Sequence, residues 1–346
     1  MTTRVKYFIR KVFGEIFFYA GIFHFIRFLH NMCGRRITIV TYHRITDKKM
    51  GEIEASLPFL FTSQKIFETQ LMFIKKRYNV TTFEELMLQG TNGKSRRNCL
   101  IITFDDGYED NFLIAHPSLG RMNLPATFFI TVDKVGNKNG RPYWWDRLYC
   151  YLRAIQKLEE KGLNHEVTME FLPIYEEFKS NASGLFSRMN KQETDEIEKL
   201  LNRMEEKIGI NNDKLFRENT ILNWDQISEM SRNHDFGSHT CSHGNLLKLS
   251  DDEKYHEIVE SKTIIEKVMN RKVSVFSSPA GHMNEEIGRF VEKGGYALAV
   301  SAAEPGVNGM TTDRYHLKRI NIWEGTSLSL NGKFAKGYFS YKLLGF

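Results

Sequence analysis

The 346-residue chain has only four cysteines, Cys33, Cys99, Cys150 and Cys241, and no two of them form a CxxC pair. That argues against a disulfide framework and against a structural zinc cluster. The four are expected to be buried or incidental thiols. Internal repeats and low-complexity tracts are also missing, as is any apolar run near the roughly 20 residues that a spanning helix needs. The formal charge of +6 is mild for this length, and the positive residues are mostly scattered. A nucleic-acid binder concentrates Lys and Arg on one element, so nucleic acid is not an expected partner. With 41% hydrophobic and 26% charged residues, the chain reads as ordinary globular protein. It is long enough for one large decorated α/β domain or two modest ones.

The N-terminus lacks the full pattern of an export signal. Arg4, Lys6, Arg10 and Lys11 precede the apolar stretch Ile16–Phe23, but Glu15 stands ahead of it and His24 and Arg27 interrupt it. No small-x-small cleavage site follows. Ile9, Val12, Phe13, Ile16, Phe17 and Ala20 recur at helical spacing, with Lys6, Arg10 and Lys11 mostly opposite. Residues 1–36 therefore form a basic amphipathic segment. Its first 30 residues either touch an anionic membrane face peripherally or pack on their own domain, and periodicity does not separate the two. The expected location is the cytoplasm or the inner membrane face.

Short, nearly continuous apolar runs at Ile37–Tyr42, Cys99–Phe104, Ala126–Val132, Val273–Phe276 and Ala297–Ser301 read as strands buried on both faces. Helical patterns alternate with them. Phe67, Leu71, Ile74 and Tyr78 share one face. Ser250-Asp251-Asp252-Glu253 has capping-box spacing and opens a helix carrying Ile258, Ile265 and Val268. Strand–helix alternation implies a parallel α/β sheet, open or closed into a barrel. From about 148 to 222 the chain turns charged and helical, with Ile197, Leu200, Leu201, Met204 and Ile208 in step. This is a helical insertion, which either shapes substrate access or stands as a solvated hairpin.

Two local patterns carry chemistry. In Thr103-Phe104-Asp105-Asp106-Gly107-Tyr108 a buried strand runs into two adjacent carboxylates, placed at the strand edge where α/β folds keep their sites. Neighbouring acids there favour a shared proton or a bound cation. Gly237-Ser238-His239-Thr240-Cys241-Ser242-His243 adds two histidines four residues apart, which share a face if the segment is helical. Together these supply three ligands and leave an open coordination position, the pattern of a catalytic metal site.

TFDDGY followed by SHTxxH resembles the polysaccharide deacetylase family (NodB-homology, carbohydrate esterase 4), whose fold is a distorted (β/α) barrel. The resemblance implies that Asp105 is the general base and that Asp106, His239 and His243 hold the metal. Thr41-Tyr42-His43-Arg44-Ile45 resembles the opening strand of the branch containing poly-N-acetylglucosamine deacetylases, which implies His43 as general acid. The third motif departs from the family pattern. It reads Phe276-Ser277-Ser278-Pro279-Ala280-Gly281-His282, without the family's Arg and aromatic side chain, so that the backbone N–H of Ala280 is left as the oxyanion donor. Leu317-Lys318-Arg319-Ile320 resembles the branch's late LPRI element and makes Arg319 the candidate replacement for the missing cation. Trp145 is a candidate sugar-stacking residue, whereas Trp224 is expected to pack.

The resemblance covers residues 37–323 apart from the insertion, leaving 324–346 as a C-terminal tail. It implies a hydrolase that removes N-acetyl groups from the amino sugars of a polysaccharide or its precursor through one divalent ion. Zinc is the first choice for this ligand set, which also accepts Co, Ni, Mn or Fe. Three rivals remain: an O-acetyl esterase, a catalytically silent sugar-binding protein, and a non-haem iron oxygenase built on the same two-histidine, one-carboxylate triad.

Overall fold

The computed structural model describes residues 3–32, 36–49, 52–91, 98–137, 141–163, 165–209, 215–309 and 311–345. Cys33 lies outside them, and Cys99, Cys150 and Cys241 are buried. The strands are β1 (Ile37–Tyr42), β2 (Arg44–Thr46), β3 (Phe61–Ser63), β4 (Asn79–Val80), β5 (Cys99–Phe104), β6 (Thr127–Ile130), β7 (Asp235–Ser238), β8 (Val275–Ser277), β9 (Leu298–Ser301), β10 (Leu317–Lys318) and β11 (Ile320–Asn321). The main sheet runs β10-β9-β8-β7-β6-β5-β1-β11, with β4 beside the start of β5. Every one of these pairings is parallel. Only Arg319 separates β10 from β11, so one stretch of chain pairs with β9 at Leu317 and Lys318 and with β1 at Ile320 and Asn321. That shared stretch nearly closes the eight-strand sheet into a barrel with helices around it.

The alternation of side chains across each strand explains why the sequence runs look continuously apolar. One set, with Tyr42, Ile102, Phe104, Phe128 and Phe276, faces outward into the main core. There the helix Gln64–Arg77 presents Phe67, Leu71 and Ile74. The other set fills the barrel. Ile39, Ile101, Phe129, Val275, Val300 and Leu317 make an apolar layer. Two residues further along β1, β5, β8 and the closing strand come Thr41, Thr103, Ser277 and Arg319, all buried. The interior thus changes from apolar to polar within one pleat, on the side of the strands' C-terminal ends.

β7 escaped the sequence reading because Asp235-Phe236-Gly237-Ser238 contains one large apolar residue. Its place in the barrel depends on the bare Gly237. A Cβ there would lie 2.4 Å from Cε1 of Phe129 and 2.8 Å from the carbonyl oxygen of Val275. The Ser250–Glu253 capping box is formed, and a helical stretch follows to Met269 with a π-turn at His256–Glu260. Ile258 and Ile265 are buried, but Val268 is exposed; Ile264 and Met269 meet the core instead.

Helices Trp144–Glu160, His165–Glu170, Leu172–Met189 and Thr194–Ile208 build a lobe with its own apolar cluster. Ile197, Leu201, Met204 and Ile208 are buried in it and Leu200 is partly buried. The lobe is anchored at its root by Arg147, which is buried and reaches Glu198 at 2.7 Å.

Gly237→Ala should lower the unfolding free energy by about 1–3 kcal/mol through overpacking, read as a shift in the urea midpoint at unchanged slope.

Candidate active site

The C-terminal ends of the parallel strands bring His43, Asp105, Asp106, His239, Ser278, Ala280 and Arg319 around one cavity of about 340 Å³. His43 follows β1 directly. Its backbone carbonyl accepts from Nδ2 of Asn111 at 2.8 Å, and its Nδ1 is buried without a hydrogen-bond partner. The neighbouring Arg44 fixes this turn: Nε donates to Asp110 at 2.9 Å, Nη1 to Asn219 at 2.7 Å, and the guanidinium lies over the Tyr108 ring at 4.3 Å.

Asp105 and Asp106 leave β5 in opposite directions. Asp105 turns back into the barrel and meets Arg319 in a two-pronged ion pair, with Nη1 to Oδ1 and Nη2 to Oδ2 both at 2.7 Å. The same guanidinium donates to the Ser277 hydroxyl at 2.9 Å, to Thr41 at 3.2 Å and to Thr103 at 3.3 Å, and lies 5.5 Å from the Phe129 ring centre. Burial pushes the Asp105 carboxyl upward, but Arg319 and His239 outweigh it and hold it below the usual carboxylate range.

Asp106 has the left-handed φ of +72°. Its carbonyl accepts from the Tyr143 hydroxyl at 2.7 Å, and its Oδ1 sits 3.5 Å from Nε2 of His239 and 3.5 Å from Nε2 of His243. Burial raises its pKa, yet the two imidazoles and nearby His43 overcome that and hold it well below the normal range.

The two histidines converge without a helix. His239 follows β7, and Thr240 and His243 both take left-handed backbone, with φ of +70° and +68°. The helical-face argument for their spacing is therefore corrected: a strained turn, not a helical one, brings them together. Glu257 holds that turn, its Oε2 accepting the N–H groups of Cys241 and Ser242, each at 2.9 Å. Thr240 Oγ1 accepts the His243 N–H at 3.0 Å. His239 Nδ1 donates to the Ser277 carbonyl at 2.8 Å, which leaves its Nε2 as the ring atom that faces Asp106. Burial lowers the basicity of both rings. Asp105 and Asp106 reverse this for His239, which is raised, while His243 stays lowered.

The ligand atoms of Asp106, His239 and His243 lie within 4.8 Å of one another. Donors about 2.0–2.2 Å from a shared tetrahedral ion sit about 3.3–3.6 Å apart, so the two 3.5 Å separations fit a divalent cation with a fourth position open. The fixed tautomer of His239 supports the same reading. Seven described non-glycine residues have positive φ. Three are asparagines, which tolerate it, and the other four are Asp106, Thr240, His243 and Ala280. Strain of this kind gathers where function over-determines the backbone.

Trp145 lines the cavity but is 8% exposed. Its ring stacks on Tyr143 at 4.3 Å, and His243 meets it edge-on at 4.8 Å. Its Nε1 donates to the Tyr108 hydroxyl at 2.9 Å. It therefore buttresses His243. Trp144, parallel to Phe186 at 6.0 Å, joins Leu57, Phe59 and Leu60 in an apolar wall, with Ser183, Ser187 and Asn190 beside it. Glu257, Tyr143 and the wall's Leu57, Phe59 and Leu60 escaped the sequence reading. Glu257 lies 14 positions beyond His243, and no local pattern ties the two.

The polysaccharide deacetylase family model matches residues 92–299, more than half of the chain. The chain belongs to the polysaccharide deacetylase family. The Bacillus subtilis (strain 168) protein YxkH, itself named among the polysaccharide deacetylases, is 22% identical over 302 residues, 86% of this chain and 76% of that protein. The Streptococcus pyogenes deacetylase PplD, solved in complex with acetate, superposes with a TM-score of 0.55 at 18% identity over 85% of this chain and 95% of its own. IcaB from Ammonifex degensii gives 0.55 at 14% identity over 90% and 97%. At these identities the structural likeness establishes the NodB-type (β/α) fold of the polysaccharide deacetylases.

If Asp106, His239 and His243 hold a divalent cation, Glu257→Ala should weaken its binding about 10- to 100-fold, the usual cost of removing an outer support of a metal ligand, measured by calorimetric titration of the folded protein with zinc as the probe. Arg319→Met leaves Asp105 buried and unpaired and should cost about 3–5 kcal/mol of stability. Because the folded pKa of Asp105 is depressed, its contribution is complete above the unfolded carboxyl's value of about 3.9 and is lost as the pH falls through the folded value. Unfolding curves from neutral to acid pH should show that loss in the wild type and not in Arg319→Met.

Proposed function

We propose that this polysaccharide deacetylase is a divalent-cation-dependent hydrolase that cleaves the acetamide of N-acetylated amino sugars in a polysaccharide or its precursor. The observation that carries the reading is the three-donor face of Asp106, His239 and His243 set beside an ion-paired Asp105. When bound there, a cation, with zinc first by ligand chemistry, polarises the acetyl carbonyl and acidifies water.

The chain's own residues do the rest. Asp105, kept ionised by Arg319, accepts the proton of the attacking water. Ala280 lies exposed at the cavity rim, and its backbone N–H donates to the developing oxyanion. His43 delivers a proton to the departing amine as the C–N bond breaks, releasing acetate and leaving a free amino sugar. The apolar wall of Leu57, Phe59, Leu60 and Trp144 faces the less polar side of a sugar ring, and the Ser and Asn side chains beside it take its hydroxyls.

Three preparations test this by acetate release from N-acetylglucosamine oligomers. Metal-stripped wild type should be inactive and regain turnover with zinc. Asp105→Asn should bind zinc as the wild type does and lose at least about 100-fold in turnover, the usual scale for removing a general base. His239→Ala should bind little zinc and release no acetate. Release from O-acetylated polymer but not from the amide would make it an esterase. Zinc binding without release from either polymer would leave a silent sugar-binding protein.

A further inference from the structure

The N-terminal helices, Thr3–Tyr19 and Ile22–Met32, have two faces with different occupants. The inner face is docked on the C-terminal helix Lys336–Leu343. The two helices cross where Gly14 meets Gly337, so closely that a Cβ on Gly337 would lie 2.3 Å from the Gly14 carbonyl oxygen. Glu15 caps the partner helix, its Oε1 accepting the N–H groups of Gly337 at 2.8 Å and Tyr338 at 3.1 Å. Phe18 and Phe23 are buried in the main core, with Phe18 against Phe73.

The apolar stripe seen in the sequence lies on the other face. Phe8, Phe13, Ile16, Phe17, Phe25 and Phe28 are between 36% and 60% exposed. Nine of the eighteen exposed large apolar side chains among the described residues fall between positions 8 and 28, and every exposed Phe is among them. A patch of this kind marks an interaction surface.

Charge says which surface. The first 36 positions hold seven of the chain's 48 basic residues and one of its 42 acidic ones, so the other 310 positions balance at 41 of each. The whole formal charge of +6 thus resides in residues 1–36; Glu15 is engaged inward, and so is Lys11, buried with its Nζ donating to the Ser329 carbonyl at 3.4 Å, whereas Arg10 is exposed. Two copies of the chain would bring their positively charged N-terminal segments together, whereas an anionic surface complements both the phenylalanines and the exposed Arg10. Neither helix is long and apolar enough to cross a bilayer, which leaves the interfacial position.

We propose that residues 8–28 form a membrane-docking hairpin that lays its phenylalanine face into an anionic lipid bilayer while Gly14, Glu15 and Phe18 hold it to the deacetylase domain. The proposal is independent of the chemistry assigned to the cavity.

Vesicle flotation of the full chain tests it. The protein should float with phosphatidylethanolamine–phosphatidylglycerol vesicles and stay behind with phosphatidylcholine alone. Raising salt to about 0.5 M should weaken the binding. The double variant Phe13→Ser/Ile16→Ser should lose at least about tenfold in vesicle binding with an unchanged urea midpoint, because both side chains are about half exposed. Arg10→Glu, also at an exposed position, should weaken binding to the anionic vesicles. Absence of flotation, or flotation that both variants leave intact, would overturn the proposal. So would a concentration-dependent dimer that the double variant abolishes in a protein that does not float, which would assign the face to a second copy of the chain.

Discussion

Inside the barrel a carboxylate and a guanidinium share two hydrogen bonds of 2.7 Å, between Asp105 and Arg319, and the polar edge that lines the cavity depends on that pair. Burying a charge is costly unless it is paired and its remaining donors are satisfied. Here the pairing is two-pronged, and Ser277, Thr41 and Thr103 accept from the same two terminal nitrogens, while Nε stays buried without a partner. Arg319 reaches this position because it sits between β10 and β11, in the stretch that pairs with β9 on one side and β1 on the other. Barrel closure and the charge state of Asp105 are thus one event. A sheet left open at that seam would leave Asp105 buried without its partner.

Around this pair the backbone is held in unusual conformations by ordinary interactions. Asp106, Thr240, His243 and Ala280 take left-handed backbone, which costs of order 1–3 kcal/mol each. For three of them the opposing contacts are visible: the Tyr143 hydroxyl on the Asp106 carbonyl, the Glu257 carboxylate under the Cys241–Ser242 turn, and Thr240 Oγ1 on the His243 N–H. The result is a rigid three-donor face with the His239 tautomer set by a strand carbonyl. The helical lobe contributes differently. It has its own apolar cluster, and its edge supplies Trp144, Phe186 and Asn190 to the cavity, so the helical lobe becomes one wall of the site.

Much of the fold was legible in the sequence because burial on both faces of a parallel strand leaves a continuous apolar run. The runs at Ile37–Tyr42 and Cys99–Phe104 coincide with β1 and β5, and the capping box at Ser250 formed as its spacing required. β7 was hidden, since its fit rests on the absence of a side chain at Gly237 and not on the presence of apolar ones. The N-terminal stripe was legible as a pattern, but its periodicity pointed to the exposed face, while the packed face is built from Gly14, Glu15 and Phe18.

The sequence by itself determined the chemistry available: two adjacent carboxylates after a buried strand, two histidines four apart, a histidine ending the first strand, and the family to which these belong. Residue type and short-range order fix such features, and both are written along the chain. Only the tertiary structure decided the partners. The LPRI-like element nominated Arg319, but its two-pronged contact with Asp105 across 214 positions, the hold of Glu257 on the histidine turn and the packing of Trp145 against His243 follow from strand closure and packing. Those depend on which distant segments share a volume, and no local pattern records that.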